Sequence, residues 1–276
     1  MNPNNPCAGF YGKCLDVKIT NKCNGKCAFC IEKGGYAPKE KSVQELIAAT
    51  NALDTYRKVL ILGGEPFLYE YLAEYVEGLE KDEIYITTNG SAFADEVVDR
   101  IAPKLENINI SIHHYDEIKN EAITGLLIDP LKIKYFIAKF KKQGVGVRIN
   151  TNLVKGYIDN LQDAETMVSY AKLLGADAIR FAELQNCPEL FANAKNIFAG
   201  VTDNPYLDGC EMRIHSQKGI DVLLRLTCGI VNPLKPIPPK EKSGNESKVM
   251  YPSAETNNGW KGNSVDCHRR GSGSCH

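Results

Sequence analysis

Segments with strand character and segments with helical character alternate strictly from residue 15 to about residue 182. The first, "LDVKIT", alternates apolar and polar residues, and the second, "KVLIL", is the continuous apolar run of a strand buried on both faces. The six predicted strands are residues 15–20, 58–62, 83–88, 107–112, 145–150 and 177–182. Strict alternation predicts a parallel sheet whose strands are joined by helices.

Helix boundaries between these strands are also marked in the sequence. Ser42 and Glu45 form the pattern of a capping box, which predicts that a helix begins there. Gly144 and Gly175 follow two apolar-periodic segments and are predicted to end two helices.

The loops after the strands decide between an open doubly wound sheet and a partial barrel. The cysteine-containing loop 21–35, "GGEP", "TTNG", "HHYD" and "NTNLVKG" each follow a strand directly. In a barrel such loops converge on one rim, where active sites lie. We therefore predict an α/β fold, a partial (β/α)6 barrel of the TIM type, over residues 1–183.

A C-terminal extension is predicted over residues 184–276, where the alternation stops. Residues 212–229 resemble two strands joined at Lys218 and Gly219, and residues 248–260 have the pattern of another hairpin. The Pro- and Lys-rich segment 232–248 is predicted to be a mobile linker or lid, and the tail 261–276 is predicted to be disordered.

Composition excludes several classes of protein. The 276 residues carry 33 basic and 34 acidic side chains, so no net field favours nucleic acid or an anionic membrane as a partner. No apolar stretch approaches the roughly 20 residues that cross a bilayer, and the start of the chain lacks the layout of a secretory signal. We expect a soluble, cytoplasmic protein.

Ten cysteines are many for a chain in a reducing compartment, where thiols bind metal more often than they form structural disulfides. Isolated Cys14 and Cys187 can be small apolar residues of the core. Cys23, Cys27 and Cys30 are too close together for that, in the spacing C-x3-C-x2-C. A structural metal site is normally closed by four ligands, so three thiols in one loop indicate that something else occupies the last position.

This loop resembles that of the radical S-adenosylmethionine (radical SAM) enzymes, in its cysteine spacing, in Phe29 and in "GGEP" after the second strand. The resemblance covers roughly residues 15 to 183. It implies an enzyme in which Cys23, Cys27 and Cys30 hold a [4Fe–4S] cluster whose open iron binds S-adenosylmethionine. Reductive cleavage of that cofactor would give a 5′-deoxyadenosyl radical that abstracts hydrogen from a substrate. Oxygen sensitivity and an electron donor such as flavodoxin or ferredoxin are implied as well.

The glycines of "GGEP" have a physical reason. A ligand laid along a strand edge comes so close that a Cβ would block it, which accounts for Gly63 and Gly64. The resemblance implies that these glycines line the methionyl part of the cofactor, and that Glu65 accepts a hydrogen bond from its amino group. The alternative is a tight turn ended by Pro66.

Other strand ends supply further cofactor-binding candidates. Thr88 and Asn89 could hydrogen-bond the cofactor carboxylate or ribose, with a simple Asn-Gly turn as an equal alternative. Ser111 and Asn150 end strands where the superfamily commonly binds the ribose or the carboxylate. Arg148 is a candidate partner of the carboxylate and could equally point to solvent.

His113 is the candidate for a catalytic residue. It lies two residues after Ser111 and therefore on the same face of the strand, whereas His114 faces the other way. It could donate to the ribose or act as an acid or base on the substrate. A rim histidine without a chemical role is the alternative.

A second cluster is a further hypothesis. Cys210, a hairpin and Cys228 resemble the auxiliary-cluster region of members such as the GTP-cyclising enzyme of molybdenum cofactor synthesis, but the C-x2-C pair of those members is absent, because residue 207 is Leu. The chain also ends "GSGSCH" where that enzyme has two glycines. The preferred interpretation is a hairpin that caps the barrel with two ordinary cysteines. The thiols that could form a second cluster are Cys187, Cys210, Cys228, Cys267 and Cys275.

The predicted function is a radical SAM enzyme acting on a small molecule or a nucleotide, with its reaction class left open. Modification of a peptide is the alternative within the superfamily, because of the C-terminal resemblance. The alternative from another class is a non-enzymatic iron–sulfur or zinc module, with His113 or another cysteine as the fourth zinc ligand. No Gly-rich phosphate loop followed by Lys or Ser/Thr is present in the sequence, which argues against a phosphate-binding barrel of that type.

Overall fold

The computed structural model describes residues 14–31, 41–185, 187–201, 211–215, 219–226, 248–250 and 256–257. Within them the strands are β1 Cys14–Lys18, β2 Lys58–Leu62, β3 Glu83–Thr88, β4 Asn107–Ser111, β5 Gly146–Leu153, β6 Ala178–Glu183, β7 Glu211–His215, β8 Asp221–Arg225, β9 Lys248–Met250 and β10 Thr256–Asn257. The helices are α1 Val43–Asn51, α2 Leu72–Gly78, α3 Asp95–Ile101, α4 Glu117–Thr124, α5 Pro130–Lys142, α6 Leu161–Leu174 and α7 Ala194–Ile197. Short 3-10 helices lie at Pro66–Leu68, Ala102–Lys104 and Pro188–Leu190.

All of these strands belong to one sheet, in the order β10-β9-β1-β2-β3-β4-β5-β6-β8-β7. Strands β1 to β6 follow chain order and are parallel, as the strict alternation of strands and helices predicts. The two edge strands, β10 and β7, are not paired with each other, so the barrel formed by the described strands is incomplete. The predicted fold class, an α/β partial barrel, is confirmed.

Both predicted C-terminal hairpins are present as antiparallel pairs, β7 with β8 and β9 with β10. They extend the barrel sheet at opposite edges, because β8 runs parallel to β6 and β9 runs parallel to β1. The predicted linker, apart from Lys248 at the start of β9, and the predicted tail lie outside the described residues. The division of the chain at residue 183 stays a prediction; the pairing adds that the hairpins continue the barrel sheet.

The predicted helix ends are confirmed. At the start of α1 the Ser42 hydroxyl accepts from the Glu45 N–H, and the Glu45 carboxylate accepts from the Ser42 N–H. Gly175 caps α6 and Gly144 follows α5, with left-handed φ values of 97° and 81°. Among the helices that the structure describes, none is both long enough and apolar enough to cross a bilayer.

The two faces of the sheet differ in chemistry. Val59 and Ile61 in β2 are fully buried against the helices, as are the corresponding residues of the other barrel strands. The alternate residues face the concave interior, and many of them are polar. The prediction that "KVLIL" is buried on both faces is therefore wrong, since Lys58, Leu60 and Leu62 are only half-buried. The concave side of the sheet therefore surrounds a space that is lined in part by polar side chains, and it is not a second apolar core.

A buried hydrogen bond joins α1 to α2 beneath the sheet. The Thr50 hydroxyl donates to the Leu46 carbonyl at 2.7 Å, so its oxygen accepts from the Tyr75 hydroxyl at 2.8 Å. Both side chains are fully buried. No other hydrogen bond of the Tyr75 hydroxyl is present among the described residues.

We expect the Thr50→Val variant to lower the free energy of unfolding by about 1–3 kcal/mol, because it leaves the buried Tyr75 hydroxyl without a partner. Tyr75→Phe should lower the free energy of unfolding by less, since the Thr50 hydroxyl still donates to the Leu46 carbonyl. The double variant should cost less than the sum of the two, because it removes both polar groups. Urea unfolding of the four proteins measures this cycle, and strict additivity would contradict the assignment.

Candidate active site

The chain that follows β1 carries the three cysteines and runs beside the chain that follows β2. The parallel pairing of the two strands continues into both loops. The Gly64 N–H donates to the Thr20 carbonyl, and the Glu65 N–H donates to the Lys22 carbonyl, both at 2.8 Å. The cysteine loop and "GGEP" are therefore held together by backbone hydrogen bonds.

Gly63 and Gly64 are required by this contact. A Cβ on Gly64 would lie 2.3 Å from the Lys22 carbonyl oxygen, and a Cβ on Gly63 would lie 2.8 Å from the Thr20 carbonyl oxygen. Both distances are far below van der Waals contact. The close neighbour of these glycines is thus the backbone of the cysteine loop. This contact requires glycine at both positions, in addition to the bound ligand that the sequence suggested as the reason.

The other side of the cysteine loop rests on the C-terminal end of α4. The Lys26 N–H donates to the Thr124 carbonyl at 2.6 Å, and the Ala28 N–H donates to the Ile123 carbonyl at 3.0 Å. The last carbonyls of a helix have no partner within the helix, so the loop satisfies them. Gly125, with a φ of 71°, ends α4 directly against Lys26.

The three thiols differ in exposure. Cys23 and Cys30 are exposed, and Cys27 is half-buried with its Sγ 3.8 Å from the Thr124 carbonyl oxygen. A Cβ on Gly25 would lie 3.6 Å from the sulfurs of both Cys23 and Cys27, so these two thiols flank that glycine. Partial burial raises the pKa of the Cys23 thiol, and the hydrogen bond that its sulfur accepts from the Gly25 N–H opposes that rise.

Within the described part of the chain, no three Cys, His, Asp or Glu side chains are arranged to hold a single metal ion. Zinc requires its ligands to converge on one point. The thiolates of an iron–sulfur cluster bind different irons and do not converge in this way. The zinc alternative with His113 or another cysteine as the fourth ligand stays a hypothesis.

The Glu65 carboxylate is fully buried and accepts three hydrogen bonds. Oε1 accepts from the Phe67 N–H at 3.0 Å and from the Thr88 hydroxyl at 2.5 Å, and Oε2 accepts from the Asn89 N–H at 2.6 Å. Burial raises the pKa of Glu65, and these donors oppose that rise. Glu65 also caps the 3-10 helix that begins at Pro66, a structural role that sequence reasoning did not anticipate.

A side-chain network connects Glu65 to the cysteine loop. The Asn89 amide donates to Asn24 Oδ1 at 3.0 Å, and the Asn24 amide donates to Ser91 Oγ at 2.8 Å. Asn24 lies between Cys23 and Cys27. Thr88 and Asn89, which are cofactor-binding candidates from sequence, are thus engaged with neighbouring protein groups in this structure.

These loops enclose a cavity of about 170 Å³ at the C-terminal ends of the strands. It brings together the residues of five separate segments. The residues predicted from sequence that line it are Cys23, Cys27, Cys30, Gly63, Gly64, Glu65, Thr88, Asn89, Ser111 and His113.

Three further candidates from sequence do not line this cavity. Arg148 and Asn150 are buried on the interior face of β5, where Arg148 Nε donates to Asn150 Oδ1 at 3.1 Å. The alternative in which Arg148 points to solvent is therefore wrong. Phe29 is buried below the cysteine loop, with its ring edge-on to the ring of His113 at a centroid distance of 4.8 Å.

His113 is buried, and hydrogen bonds fix its ring. Its Nδ1 accepts from the Asn152 N–H at 3.0 Å, while its own backbone N–H donates to Asn120 Oδ1 at 2.9 Å. Burial lowers the pKa of His113 to about 4, so the imidazole is neutral at neutral pH with its proton on Nε2. His114 points elsewhere, with Nδ1 accepting from the Asp116 N–H.

The structure adds lining residues that sequence reasoning missed. Asn120 and Thr124 of α4, followed by Leu126 and Ile128, form one wall of the cavity. Their sequence pattern is that of an ordinary helix and the loop that follows it, and therefore does not indicate a binding site. The polar pair Asn120 and Thr124 on the buried side of α4 is the signal that could have identified them.

The hypothesis of a second cluster falls largely outside the described residues, because Cys210, Cys228, Cys267 and Cys275 are not among them. Cys187 is described and buried. Its Sγ lies 3.1 Å from Glu189 Oε1, and it belongs to an apolar cluster that includes Phe29.

A family model described as the radical SAM superfamily matches residues 17–171, which is more than half of the chain. The chain belongs to the radical SAM superfamily. It is therefore an enzyme, and its cofactors are the [4Fe–4S] cluster and S-adenosylmethionine that this superfamily uses. The resemblance to GTP-cyclising members is confirmed by the sequence relatives.

Among these relatives are two GTP 3′,8-cyclases. The chain is 28% identical over 212 residues to that of Clostridium perfringens (strain SM101 / Type A), covering 72% of this chain and 62% of that enzyme. It is 27% identical over 183 residues to that of Aquifex aeolicus (strain VF5), covering 62% of this chain and 56% of that enzyme. This radical SAM chain thus spans less than two thirds of the length of these curated relatives.

Solved structures show the same fold. Streptococcus suis SuiB matches with a TM-score of 0.62 at 17% identity, over 89% of this chain and 60% of that one. SuiB bound to its precursor peptide SuiA matches with a TM-score of 0.52 at 22% identity, over 62% of this chain and 39% of that one. At these identities the likeness shows the fold alone.

We expect Gly64→Ala to lower the free energy of unfolding by at least about 2 kcal/mol and to reduce the iron content, because its Cβ would meet the Lys22 carbonyl at 2.3 Å. Gly25→Ala is the matched control in the same site, since its nearest neighbour is a flexible Leu126 methyl at 3.3 Å. Thermal unfolding and iron analysis of both variants measure the difference. Equal effects of the two substitutions would contradict the contact.

We expect His113 to make stability depend on pH. Its folded pKa of about 4 lies below the ordinary 6.5, so the unfolded chain binds more protons and stability is lost as pH falls from 6.5 towards 4. The loss between pH 7 and pH 5 is about 2 kcal/mol at most. His113→Asn keeps an acceptor for the Asn152 N–H but cannot titrate. Melting curves at both pH values should show a smaller loss in the variant, and identical losses would refute the assignment.

Proposed function

We propose that this chain is a radical SAM enzyme in which Cys23, Cys27 and Cys30 hold the cluster. The cavity that joins these thiols to Gly63, Gly64 and Glu65 is the observation that carries the proposal. When bound, the cluster and S-adenosylmethionine supply an adenosyl radical that abstracts hydrogen from the substrate. Residues 1–183 would form this site, and residues 184–276 would extend it.

Glu65 is suited to bind the cofactor's amino group. An ionised carboxylate has about four acceptor positions, and three of them are used by protein donors. The position that remains can accept from an ammonium, which would also offset the burial of the negative charge. In this arrangement Thr88 and Asn89 orient Glu65, and Gly63 and Gly64 leave room for the methionyl chain.

Ser111, Asn150 and Arg148 are proposed to contact the ribose or the carboxylate of the cofactor. Ser111 and Asn150 are register partners on β4 and β5, and Arg148 donates to Asn150 from the same face. Neutral His113 can donate from Nε2 to a group in the cavity. With a pKa of about 4 it is not an imidazolium acid at neutral pH, so the donor role is favoured over the acid role.

The proposed substrate is a small molecule or a nucleotide. Support comes from the 28% identity over 212 residues to a GTP 3′,8-cyclase. Modification of a peptide is the second candidate, and SuiB bound to its precursor peptide shares the fold. We further propose a cytoplasmic enzyme that receives its electron from a carrier such as flavodoxin or ferredoxin.

Cys27→Ala is the test of the proposed function. We expect anaerobically prepared wild-type protein to contain about four irons per chain, and about eight if the C-terminal thiols hold a second cluster. The variant should lose the cluster and form no 5′-deoxyadenosine from S-adenosylmethionine under reduction. Liquid chromatography of that product and iron and sulfide analysis give the result.

Cys14→Ala is the matched control for this experiment. Cys14 lies at the opposite end of β1, and burial raises the pKa of its thiol to about 12, so it stays protonated. This variant should keep its iron and its activity. Iron without cleavage of S-adenosylmethionine in the wild type would instead indicate a non-enzymatic iron–sulfur module.

A further inference from the structure

Asn120 is a buried polar residue of the cavity wall that the proposed function leaves without a role. It is only 2% exposed, and it lines the same cavity as the three thiols. The buried side of a helix such as α4 is usually apolar. A side-chain amide in such a position needs hydrogen-bond partners, so the contacts of this amide indicate what it binds.

The orientation of the Asn120 amide is fixed by the backbone of His113. Its Oδ1 accepts from the His113 N–H at 2.9 Å. Only the oxygen of an amide can accept from an N–H group, so Nδ2 lies on the other side of the group and carries two N–H donors. The donor side of the amide therefore points away from the His113 N–H.

The described contacts leave this donor side incompletely paired. Nδ2 makes one hydrogen bond, a long one of 3.5 Å to the Leu126 carbonyl oxygen. The same oxygen lies 3.4 Å from the Thr124 hydroxyl. Among the residues that the structure describes, the amide has no further acceptor, so one of its two N–H groups is unpaired. A buried donor in this state is destabilising unless a bound group accepts from it.

The neighbours of this amide are residues that contact the cysteine loop. The Thr124 carbonyl oxygen lies 3.8 Å from Cys27 Sγ. A Cβ on Gly25 would lie 3.3 Å from a Leu126 methyl and 3.6 Å from Cys27 Sγ. Asn120 precedes Thr124 by one turn on the same face of α4, and its amide reaches the Leu126 carbonyl. The unpaired donor therefore belongs to the part of the cavity wall beside Cys27.

Sulfur is the acceptor that this part of the cavity supplies once a cluster is bound. The sulfur atoms of a cluster and of its cysteine ligands accept hydrogen bonds from N–H groups, and these bonds help to set the reduction potential. The Gly25 N–H already donates to Cys23 Sγ at 3.4 Å. One-electron reduction adds a negative charge to the cluster, so a donor stabilises the reduced form more than the oxidised form and raises the potential.

We propose that Asn120 donates a hydrogen bond from Nδ2 to a sulfur atom of the bound cluster and thereby raises its reduction potential. The proposal rests on the proposed function, because it requires the cluster of Cys23, Cys27 and Cys30. It gives α4 a role in the uptake of the electron, in addition to its contact with the cysteine loop.

Asn120→Leu tests this role in anaerobic, cluster-loaded protein without S-adenosylmethionine. The equilibrium constant for one-electron reduction should fall at least threefold, which is a shift of about 28 mV to more negative potential, since a tenfold change is about 59 mV for one electron. A potentiometric titration with titanium(III) citrate as reductant, followed by electron paramagnetic resonance of the reduced cluster, measures the shift. In D2O, deuterium electron-nuclear double resonance should show one exchangeable-deuteron coupling in the wild type that the variant lacks.

Asn120→Asp is the second variant, for the case that the leucine variant does not fold. It keeps the acceptor for the His113 N–H and removes the donor. Its added negative charge lowers the potential by itself, so the deuteron coupling is the decisive measurement. That coupling should be missing from this variant as well.

Thr124→Val is the matched control on the same wall of the cavity. The Thr124 hydroxyl donates to the Asn120 carbonyl at 2.6 Å and accepts from the Leu126 N–H at 3.2 Å, so its hydrogen bonds stay within the protein. The variant should unfold at a lower temperature but leave the reduction potential and the deuteron coupling unchanged. It separates the loss of a buried hydrogen bond from the loss of a donor to the cluster.

Four outcomes overturn the proposal. They are an unchanged potential in Asn120→Leu, an equal shift in Thr124→Val, a deuteron coupling that persists in Asn120→Asp, and a shift that occurs only with S-adenosylmethionine bound, which would assign the amide to that cofactor instead. Iron content and cofactor cleavage of the wild type are measured separately. A failure of the proposed function is therefore distinguishable from a failure of this assignment.

Discussion

The backbone contact between the cysteine loop and "GGEP" is the constraint on which the rest of the site depends. Two hydrogen bonds extend the pairing of β1 and β2 past the ends of the strands, from Gly64 to Thr20 and from Glu65 to Lys22. This approach is possible only without Cβ atoms at residues 63 and 64. The three thiols project from one of the paired loops and the Glu65 carboxylate projects from the other. The backbone contact between the loops therefore sets the position of the thiols relative to the carboxylate.

The surroundings of that contact hold it from both sides. On one side the carbonyls at the end of α4 bind the N–H groups of Lys26 and Ala28. On the other side the Glu65 carboxylate, Asn89 and Asn24 form a continuous hydrogen-bonded chain back to the loop. The loop that carries the cluster ligands is thus ordered by the protein itself, which limits the rearrangement needed when a cofactor binds.

The two faces of the barrel sheet carry different side chains and have different roles. The helix-facing residues supply the apolar core, and the interior-facing residues supply charge and hydrogen bonds. Barrels whose interior is filled by branched apolar side chains have no comparable space. A polar interior buries less apolar surface than a packed one and therefore stabilises the fold less. It leaves space and hydrogen-bonding groups next to the cavity.

Much of this architecture follows from the sequence alone. Period-two patterns located six strands, the capping box at Ser42 located a helix, and the cysteine spacing with "GGEP" identified the superfamily, because these signals are local. The tertiary structure alone decided that Gly64 faces the Lys22 carbonyl, that Glu65 caps a 3-10 helix and that α4 forms a wall of the cavity. A strand pattern shows which residues share a face, but the curvature of the sheet determines what that face meets.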